Sequence, residues 1–316
     1  MKFKKILVVG IQKPQLDSST WKSLYSLTEK IILLSPDSKN ITKELKDTDC
    51  LLVYFNKADK EMIDNAPNLK YIGALATGVG KIDSKYAVSK KIVITNIPGY
   101  STESVAELVF AVLLENLREI SRAKIESKKG NRSELGFSGR EIKGKTFGVL
   151  GLGRIGARVA KIAKGFGADV YYWSKNRKKL TEKLGIKYSS LNDILKKSDI
   201  ISIHFALNNQ TNNILNKERV NSIKKEAIVI NTAPMELINL DALKNRLKSK
   251  DITFIFDHTD LGDITEKKLK KLQQYNNCIT YPVLGYISNE ARVAKQEIFI
   301  NNIKSFLKGK PINVVK

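Results

Sequence analysis

The fold is decided by the stretch Thr146-Phe-Gly-Val-Leu-Gly-Leu-Gly-Arg-Ile-Gly156, in which an apolar segment runs into a GxGxxG pattern. The segment Ala157-Arg-Val-Ala-Lys-Ile-Ala-Lys164 follows with helical spacing. A strand, a glycine turn and a helix start in this order are typical of dinucleotide-binding folds. Gly151 permits a tight turn, Gly153 lets backbone N–H groups approach a pyrophosphate, and Gly156 lets helix and strand pack closely. The stretch predicts a bound dinucleotide, and the alternative is a unit of this shape kept for packing alone.

Short apolar runs that are typical of buried parallel strands alternate with helical segments along the chain. Before the glycine stretch these runs are Ile6–Val9, Ile31–Leu34, Leu51–Phe55, Tyr71–Leu75 and Ile92–Thr95. From it onward they are Phe147–Leu150, Val170–Trp173, Ile200–Phe205, Ile228–Thr232, Thr253–Asp257 and Cys278–Tyr281. The alternation predicts parallel α/β sheets covered by helices on both faces. A length of 316 residues with 42% hydrophobic content predicts two domains.

Two further segments predict helices. Ser104-Val-Ala-Glu107 has the form of a capping box and precedes an apolar run, so we expect a long buried helix that ends before Gly130. The tail from Asn289 to Leu307 has helical spacing, and we expect it to pack back on the first domain.

The formal net charge is +23, from 55 Lys and Arg against 32 Asp and Glu. A basic surface can attract nucleic acid, acidic lipid or a phosphorylated ligand. No basic cluster is interleaved with aromatic residues or joined to a nucleic-acid motif, so a solvated lysine-rich surface is the preferred interpretation. Cys50 and Cys278 fit no metal-ligand pattern, and no run approaches the roughly 20 apolar residues of a membrane span. We expect a soluble cytoplasmic protein without a metal site, a membrane partner or a nucleic-acid partner.

Four stretches resemble the D-2-hydroxyacid dehydrogenase family in order and spacing. They are Thr77-Gly-Val-Gly-Lys-Ile-Asp83, Thr95-Asn-Ile-Pro-Gly-Tyr-Ser-Thr-Glu-Ser-Val-Ala-Glu107, the glycine stretch, and Ser198-Asp-Ile-Ile-Ser-Ile-His204 with the later Ile230-Asn-Thr-Ala233. The resemblance implies a Rossmann dinucleotide-binding domain, residues 101–287, inserted in a smaller flavodoxin-like α/β substrate domain, residues 1–100 and 288–316. It also implies an active site in the cleft and a homodimer formed through the helix near Ser104.

The resemblance further implies which residues bind the ligands. Backbone N–H groups of Thr77, Gly78, Val79 and Gly80 would hold the carboxylate of a small anionic substrate. The implied cofactor contacts are Thr102, Gly151, Gly153, Arg154, Ile155, Gly156, Thr232, Ala233 and Asp257. Thr102, Thr232, Ala233 and Asp257 belong to the nicotinamide side, and the others to the pyrophosphate. Each position also has a packing interpretation, which is strongest for Ile155 and Ala233.

The second strand of the fold should end in an acidic residue about 20 residues past the glycines if NAD is preferred. Ser174 stands there, and Lys175 and Arg177 follow it. A carboxylate that would repel a 2′-phosphate is therefore missing, and two cations could pair with one. We expect NADP(H) in preference to NAD(H), and the alternative is an exposed lysine-rich loop beside bound NAD.

Three positions depart from the family pattern at the chemistry. Members of the family use an arginine that grips the substrate, and a histidine, tuned by a glutamate, that donates the proton. By resemblance these positions are Pro234, Val283 and Gly262. A positioned acid typically contributes about 10²–10⁴-fold to such a reaction, and proline and valine supply no proton. An ordinary 2-hydroxyacid dehydrogenase is therefore not expected, and His258 is a weak substitute candidate for the acid.

Three functions remain open. The first is a nicotinamide-dependent oxidoreductase with altered acid–base residues and a changed, small substrate. The second is a dinucleotide-binding sensor or regulatory protein without turnover. The third and weakest is a basic nucleic-acid-binding module on a reused fold.

Overall fold

The computed structural model describes residues 1–54, 56–257 and 263–315. The chain divides into two compact units, Met1–Tyr100 with Asn289–Lys316, and Ser101–Ser288. The strands are β1 (Phe3–Val9), β2 (Thr28–Leu34), β3 (Cys50–Val53), β4 (Tyr71–Ala74), β5 (Val93–Thr95), β6 (Thr146–Leu150), β7 (Asp169–Trp173), β8 (Lys187–Tyr188), β9 (Ile200–Ile203), β10 (Ile228–Asn231), β11 (Thr253–Asp257) and β12 (Cys278–Tyr281). The helices are α1 (Ser18–Ser26), α2 (Ile41–Leu45), α3 (Lys60–Asp64), α4 (Ser84–Ser89), α5 (Thr102–Leu117), α6 (Ile120–Lys128), α7 (Arg154–Gly165), α8 (Lys179–Glu182), α9 (Leu191–Lys197), α10 (Lys217–Asn221), α11 (Leu240–Lys248), α12 (Asp263–Leu272) and α13 (Asn289–Leu307).

The first unit contains a five-stranded parallel sheet with the strand order β2-β1-β3-β4-β5. Successive residues of β1 enter different hydrophobic clusters, since Ile6 and Val8 pack on one face while Leu7 and Val9 pack on the other. Helix α13 supplies Phe299 to the first of these clusters. The prediction that the tail packs on the first unit is therefore confirmed.

The second unit contains a seven-stranded parallel sheet with the strand order β12-β11-β10-β9-β6-β7-β8. From β6 the chain proceeds outward through β7 and β8, then returns to β9 on the other side of β6 and proceeds to β12. The order thus reverses between β6 and β9, and open α/β sheets bind ligands beyond the carboxyl ends of the strands at such a point. The parallel α/β fold class predicted from the sequence is confirmed.

The helix that was expected to start at a capping box differs from the prediction. Its N-cap residue is Ser101, and Ser104 lies inside α5, where its hydroxyl donates to the carbonyl of Gly285 at 2.7 Å. The helix ends at Leu117, and Glu119, with a φ of 50°, starts the separate helix α6. A left-handed residue cannot continue an α-helix, so the one long helix is two. No helix in the described ranges is long and apolar enough to cross a bilayer.

Candidate dinucleotide site

The glycine turn between β6 and α7 has one closed side and one open side. Gly151 has a φ of +97°, and a Cβ there would lie 2.8 Å from the backbone of His204. A Cβ on Gly156 would lie 2.0 Å from the carbonyl oxygen of Gly151. A Cβ on Gly153 would meet no atom within 4 Å, and the neighbouring Arg154 is exposed. The N-terminus of α7, whose first N–H groups have no partners within the helix, therefore begins beside open space.

The end of β7 carries the residues expected to select the cofactor. The hydroxyl of Ser174 donates to the carbonyl of Asn176 at 2.6 Å. Arg177 donates to both oxygens of Glu182, from Nε at 2.8 Å and from Nη2 at 2.8 Å. Hydrogen bonds from Arg177 and then from Tyr172 lower the pKa of Glu182 to about 2, so this carboxylate stays charged. The charge of Arg177 is thus compensated within the protein, a contact that the sequence interpretation missed.

Lys175, on the same loop, differs from Arg177 in its partner. Its Nζ donates to the neutral side-chain oxygen of Gln210 at 2.9 Å. No carboxylate in the described part of the chain lies within ion-pairing distance of it. Lys175 therefore keeps a positive charge that can act on a ligand.

After β10 the chain turns at once into the 3-10 helix Met235–Leu237, for which Pro234 is the N-cap residue. The side-chain oxygen of the buried Asn231 accepts the N–H of Ala233 at 3.0 Å and fixes the turn. Thr232 is half-buried and Ala233 is buried. The position expected to present a guanidinium thus presents a proline ring, which carries no donor.

Asp257, at the end of β11, anchors the loop that follows β12. The residue is 6% exposed, and its two carboxylate oxygens accept the N–H groups of Leu284 at 2.8 Å and Gly285 at 2.9 Å. A Cβ on Gly285 would lie 2.7 Å from Oδ2 of Asp257. The half-buried Val283 directly precedes this anchored pair. The sequence indicated a ligand role for Asp257 and gave no sign of its contacts with residues 27 and 28 positions away.

Burial shifts the pKa values of His204 and Tyr281 away from the neutral range, in opposite directions. Burial lowers the pKa of His204 to about 3, so its ring, 2.8 Å from the hydroxyl of Ser202, is neutral. Burial, together with a hydrogen bond to Glu115, raises the pKa of Tyr281. Neither pKa suits a proton donor at neutral pH. His258 and Gly262 lie outside the described residues.

The loop after β4 in the first unit is exposed and fixed at its start. Thr77 Oγ1 donates to the carbonyl of Ile97 at 2.8 Å, and the carbonyl of Thr77 accepts Nδ2 of Asn96 at 2.6 Å. Positions 78 and 80 have no atom within 4 Å of an added Cβ, so the backbone there is accessible. Val79 between them is half-buried, and Thr102, the first residue of α5 in the second unit, is half-buried as well.

No group of three or more His, Cys, Asp or Glu side chains among the described residues is arranged to hold a metal ion. Cys50 and Cys278 are both free and buried.

Comparison with known proteins gives consistent matches. Residues 110–285 match the family model described as D-isomer specific 2-hydroxyacid dehydrogenase, NAD binding domain. A glyoxylate reductase of Thermococcus litoralis is 35% identical over 89% of this chain and 87% of its own length. A hydroxypyruvate reductase of Blautia hydrogenotrophica is 31% identical over 93% of this chain and 94% of its own.

Two solved structures match over nearly the whole chain. One is an acyclic imino acid reductase in complex with NADPH and D-Arg, with 31% identity, a TM-score of 0.86 and coverage of 99% of this chain and 100% of the other. The other is a D-lactate dehydrogenase from Aquifex aeolicus complexed with NAD and lactic acid, with 26% identity, a TM-score of 0.85 and coverage of 96% of both chains.

Proposed function

We infer a function from one premise: this chain belongs to the family of D-isomer-specific 2-hydroxyacid dehydrogenases. The named relatives are oxidoreductases. We propose that the chain is a nicotinamide-dependent reductase that acts on a small anionic substrate with acid–base residues different from those of the family. The observation that carries this proposal is the presence of Pro234 and Val283, which carry no proton donor, at the two described positions where the resemblance implies an arginine and a histidine, in a unit whose glycine turn suits a dinucleotide.

The second unit offers residues for holding the cofactor. The open space at Gly153 leaves the N-terminus of α7 accessible to a pyrophosphate, and Arg154 adds a cation. Thr232, Ala233 and Asp257 would line the nicotinamide side, and Thr102 would stand near it. When bound, the nicotinamide supplies the hydride. We propose NADP(H) as the preferred form, with Lys175 as the main cation for the 2′-phosphate because Glu182 already compensates Arg177.

The vacant acid position favours a protonated imine as substrate. Hydride addition to a ketone leaves an alkoxide, which must take a proton from a positioned acid. Hydride addition to the carbon of a protonated imine breaks the C=N π bond and leaves a neutral amine, so no protein acid is required. A guanidinium would also repel that cation, since two like charges 4 Å apart interact with about 4 kcal/mol at an effective dielectric constant of 20. Val283 offers no proton donor, and Pro234 brings no positive charge that would repel the protonated imine.

A relative supports this choice of substrate. The imino acid reductase that shares 31% of its sequence with this chain binds NADPH and D-Arg. The carboxylate of such a 2-imino acid would be held by N–H groups of Thr77, Gly78, Val79 and Gly80. A formal charge of +23 attracts the anionic 2-oxo acid from which such an imine forms.

The test is NADPH oxidation by the purified chain with 2-oxo acids, in the presence and absence of ammonia or methylamine. We expect turnover when the imine can form from acid and amine, with the amino acid product identified by mass spectrometry. Ordinary dehydrogenase rates on glyoxylate or hydroxypyruvate alone would contradict the proposal.

A second candidate is a dinucleotide-binding sensor without turnover, and the same vacant positions favour it. It predicts micromolar NADPH binding by fluorescence titration with no oxidation on any acid, aldehyde, imine or activated alkene. Failure to bind either NADPH or NADH would exclude both candidates.

Two further features belong to the proposal. We propose a homodimer because Ile120 and Ile125 of α6, together with Leu135, are exposed in the single chain. The molar mass in solution, measured by light scattering, tests it. We also propose a cytoplasmic location, in keeping with two free thiols.

A further inference from the structure

Lys295, on the second turn of α13, lies against two aromatic rings of the first unit. Its Nζ is 5.5 Å from the ring centroid of Tyr54 and 5.9 Å from that of Tyr100. The side chain is half-buried, and neither composition nor spacing distinguishes it from the other lysines. Only the fold brings Lys295 to these two rings. Tyr54 directly follows β3, and Tyr100 lies five residues after the end of β5.

The ammonium of Lys295 is held in an environment that does not compensate its charge. Burial, and then the nearby Arg292, lower its pKa. Arg292 is itself paired with Asp17 at 2.8 Å. Within residues 1–54, 56–257 and 263–315, no carboxylate lies within ion-pairing distance of Lys295. The faces of aromatic rings attract a cation, but a hydrogen-bonded anion stabilises a desolvated ammonium more strongly than the rings do.

The position of Tyr54 places this ammonium at the carboxyl edge of the sheet. Tyr54 directly follows β3, and the loop from Thr77 to Gly80 follows β4. Strands β3 and β4 are parallel neighbours, paired from Cys50 with Tyr71 to Val53 with Ala74. Their carboxyl ends therefore meet at the same edge, and Lys295 is held at this edge by Tyr54.

We propose that Lys295 binds the carboxylate of the substrate. The inference rests on the proposed function for the identity of the ligand, a 2-oxo or 2-imino acid. The two rings occupy part of the space around the ammonium, and its remaining N–H donors can bind a carboxylate oxygen.

The experiment compares Lys295→Met, which keeps an unbranched apolar stem on the rings, with Lys295→Arg and with the control Lys304→Met. Lys304 is an exposed lysine of the same helix. Binding of glyoxylate, pyruvate and 2-oxoglutarate, and of the neutral pyruvamide, is measured by calorimetry on the NADPH complex. This readout requires no turnover.

We expect Lys295→Met to weaken binding of all three acids by about tenfold or more and to leave pyruvamide binding unchanged, as for loss of a hydrogen bond to a charged group. Lys295→Arg should retain most of the affinity, and Lys304→Met all of it. In steady-state assays the same loss should appear in KM more than in kcat.

Several results would overturn the assignment. One is an equal loss for pyruvate and pyruvamide, which indicates packing alone. Another is a loss confined to 2-oxoglutarate, which assigns Lys295 to a distal carboxylate. Unchanged acid binding, or no acid binding by the unsubstituted chain, also refutes it. If acid binding depends on Lys295 but no imine is reduced, the proposed reaction fails and the carboxylate site stands.

Discussion

Replacing Asp257 by asparagine should loosen the loop after β12. Asp257 is a buried residue, and its carboxylate accepts two backbone N–H groups, from Leu284 and Gly285. Asparagine keeps the shape but turns an NH2 group toward one of those donors. One hydrogen bond is then lost, and the other loses its charged acceptor.

The magnitude follows from these contacts. A hydrogen bond to a charged group contributes about 1.5–3 kcal/mol, and one between neutral groups about 1 kcal/mol. Losing one bond of the first kind and weakening the other lowers the free energy of unfolding by about 3 kcal/mol. That is a large part of the roughly 5–15 kcal/mol available to a folded domain.

The assay is urea unfolding followed by circular dichroism, together with hydrogen exchange of the Leu284 and Gly285 amides. The matched control is Asp169→Asn, an exposed aspartate at the start of β7 in the same sheet, which should change stability by less than about 0.5 kcal/mol. Equal unfolding free energies for the two variants, with unchanged exchange at both amides, would refute the anchoring role of Asp257.

Three other predictions concern the cofactor, pH and the vacant positions. Lys175→Ala should weaken NADPH binding about tenfold and leave NADH binding unchanged, whereas Arg177→Ala should weaken NADPH binding less because Glu182 compensates the charge of Arg177. Both affinities are measured by fluorescence titration, and equal losses for NADPH and NADH would remove the 2′-phosphate assignment. The pKa of His204 is lowered to about 3 in the folded chain from an ordinary 6.5, so the unfolded chain binds the proton more readily, and stability should fall as the pH drops from 6.5 toward 3. His204→Gln should flatten that slope in urea titrations, and an unchanged slope would show that other groups cause it. Pro234→Arg with Val283→His should raise glyoxylate reduction at least about tenfold while each change alone does less, and no gain would mean that the fold no longer supports the family's chemistry.

The fold was predictable where its signals are local. The glycine stretch and the apolar runs identified the parallel α/β class because both are read within a few residues. Strand β8 was missed because it is two residues long and both are exposed, so no apolar pattern marks it. The start of α5 was misplaced because the hydroxyl of Ser104 bonds to a carbonyl 181 residues away and does not cap its own helix.

The candidate site was predictable in outline for the same reason. The family pattern indicated the positions of Pro234 and Val283, but not what fixes them. The ion pair of Arg177 with Glu182 forms only because the Glu182 side chain, five residues later, points back toward Arg177. Lys295 is distinguished only by rings from residues about 200 or more positions earlier in the chain. Long-range contacts of this kind are set by packing and leave no local pattern.

The three glycines of the turn differ in what an added side chain would meet. The backbone itself demands the first and third, because a side chain at 151 or 156 would collide with neighbouring backbone. Gly153 has a φ of −77°, which any residue adopts, and open space beyond its Cα. A methyl group at this position would therefore fit the fold and would occupy only the space that a ligand needs when it approaches the backbone. Gly153→Ala is therefore the change that can separate ligand binding from the integrity of the turn.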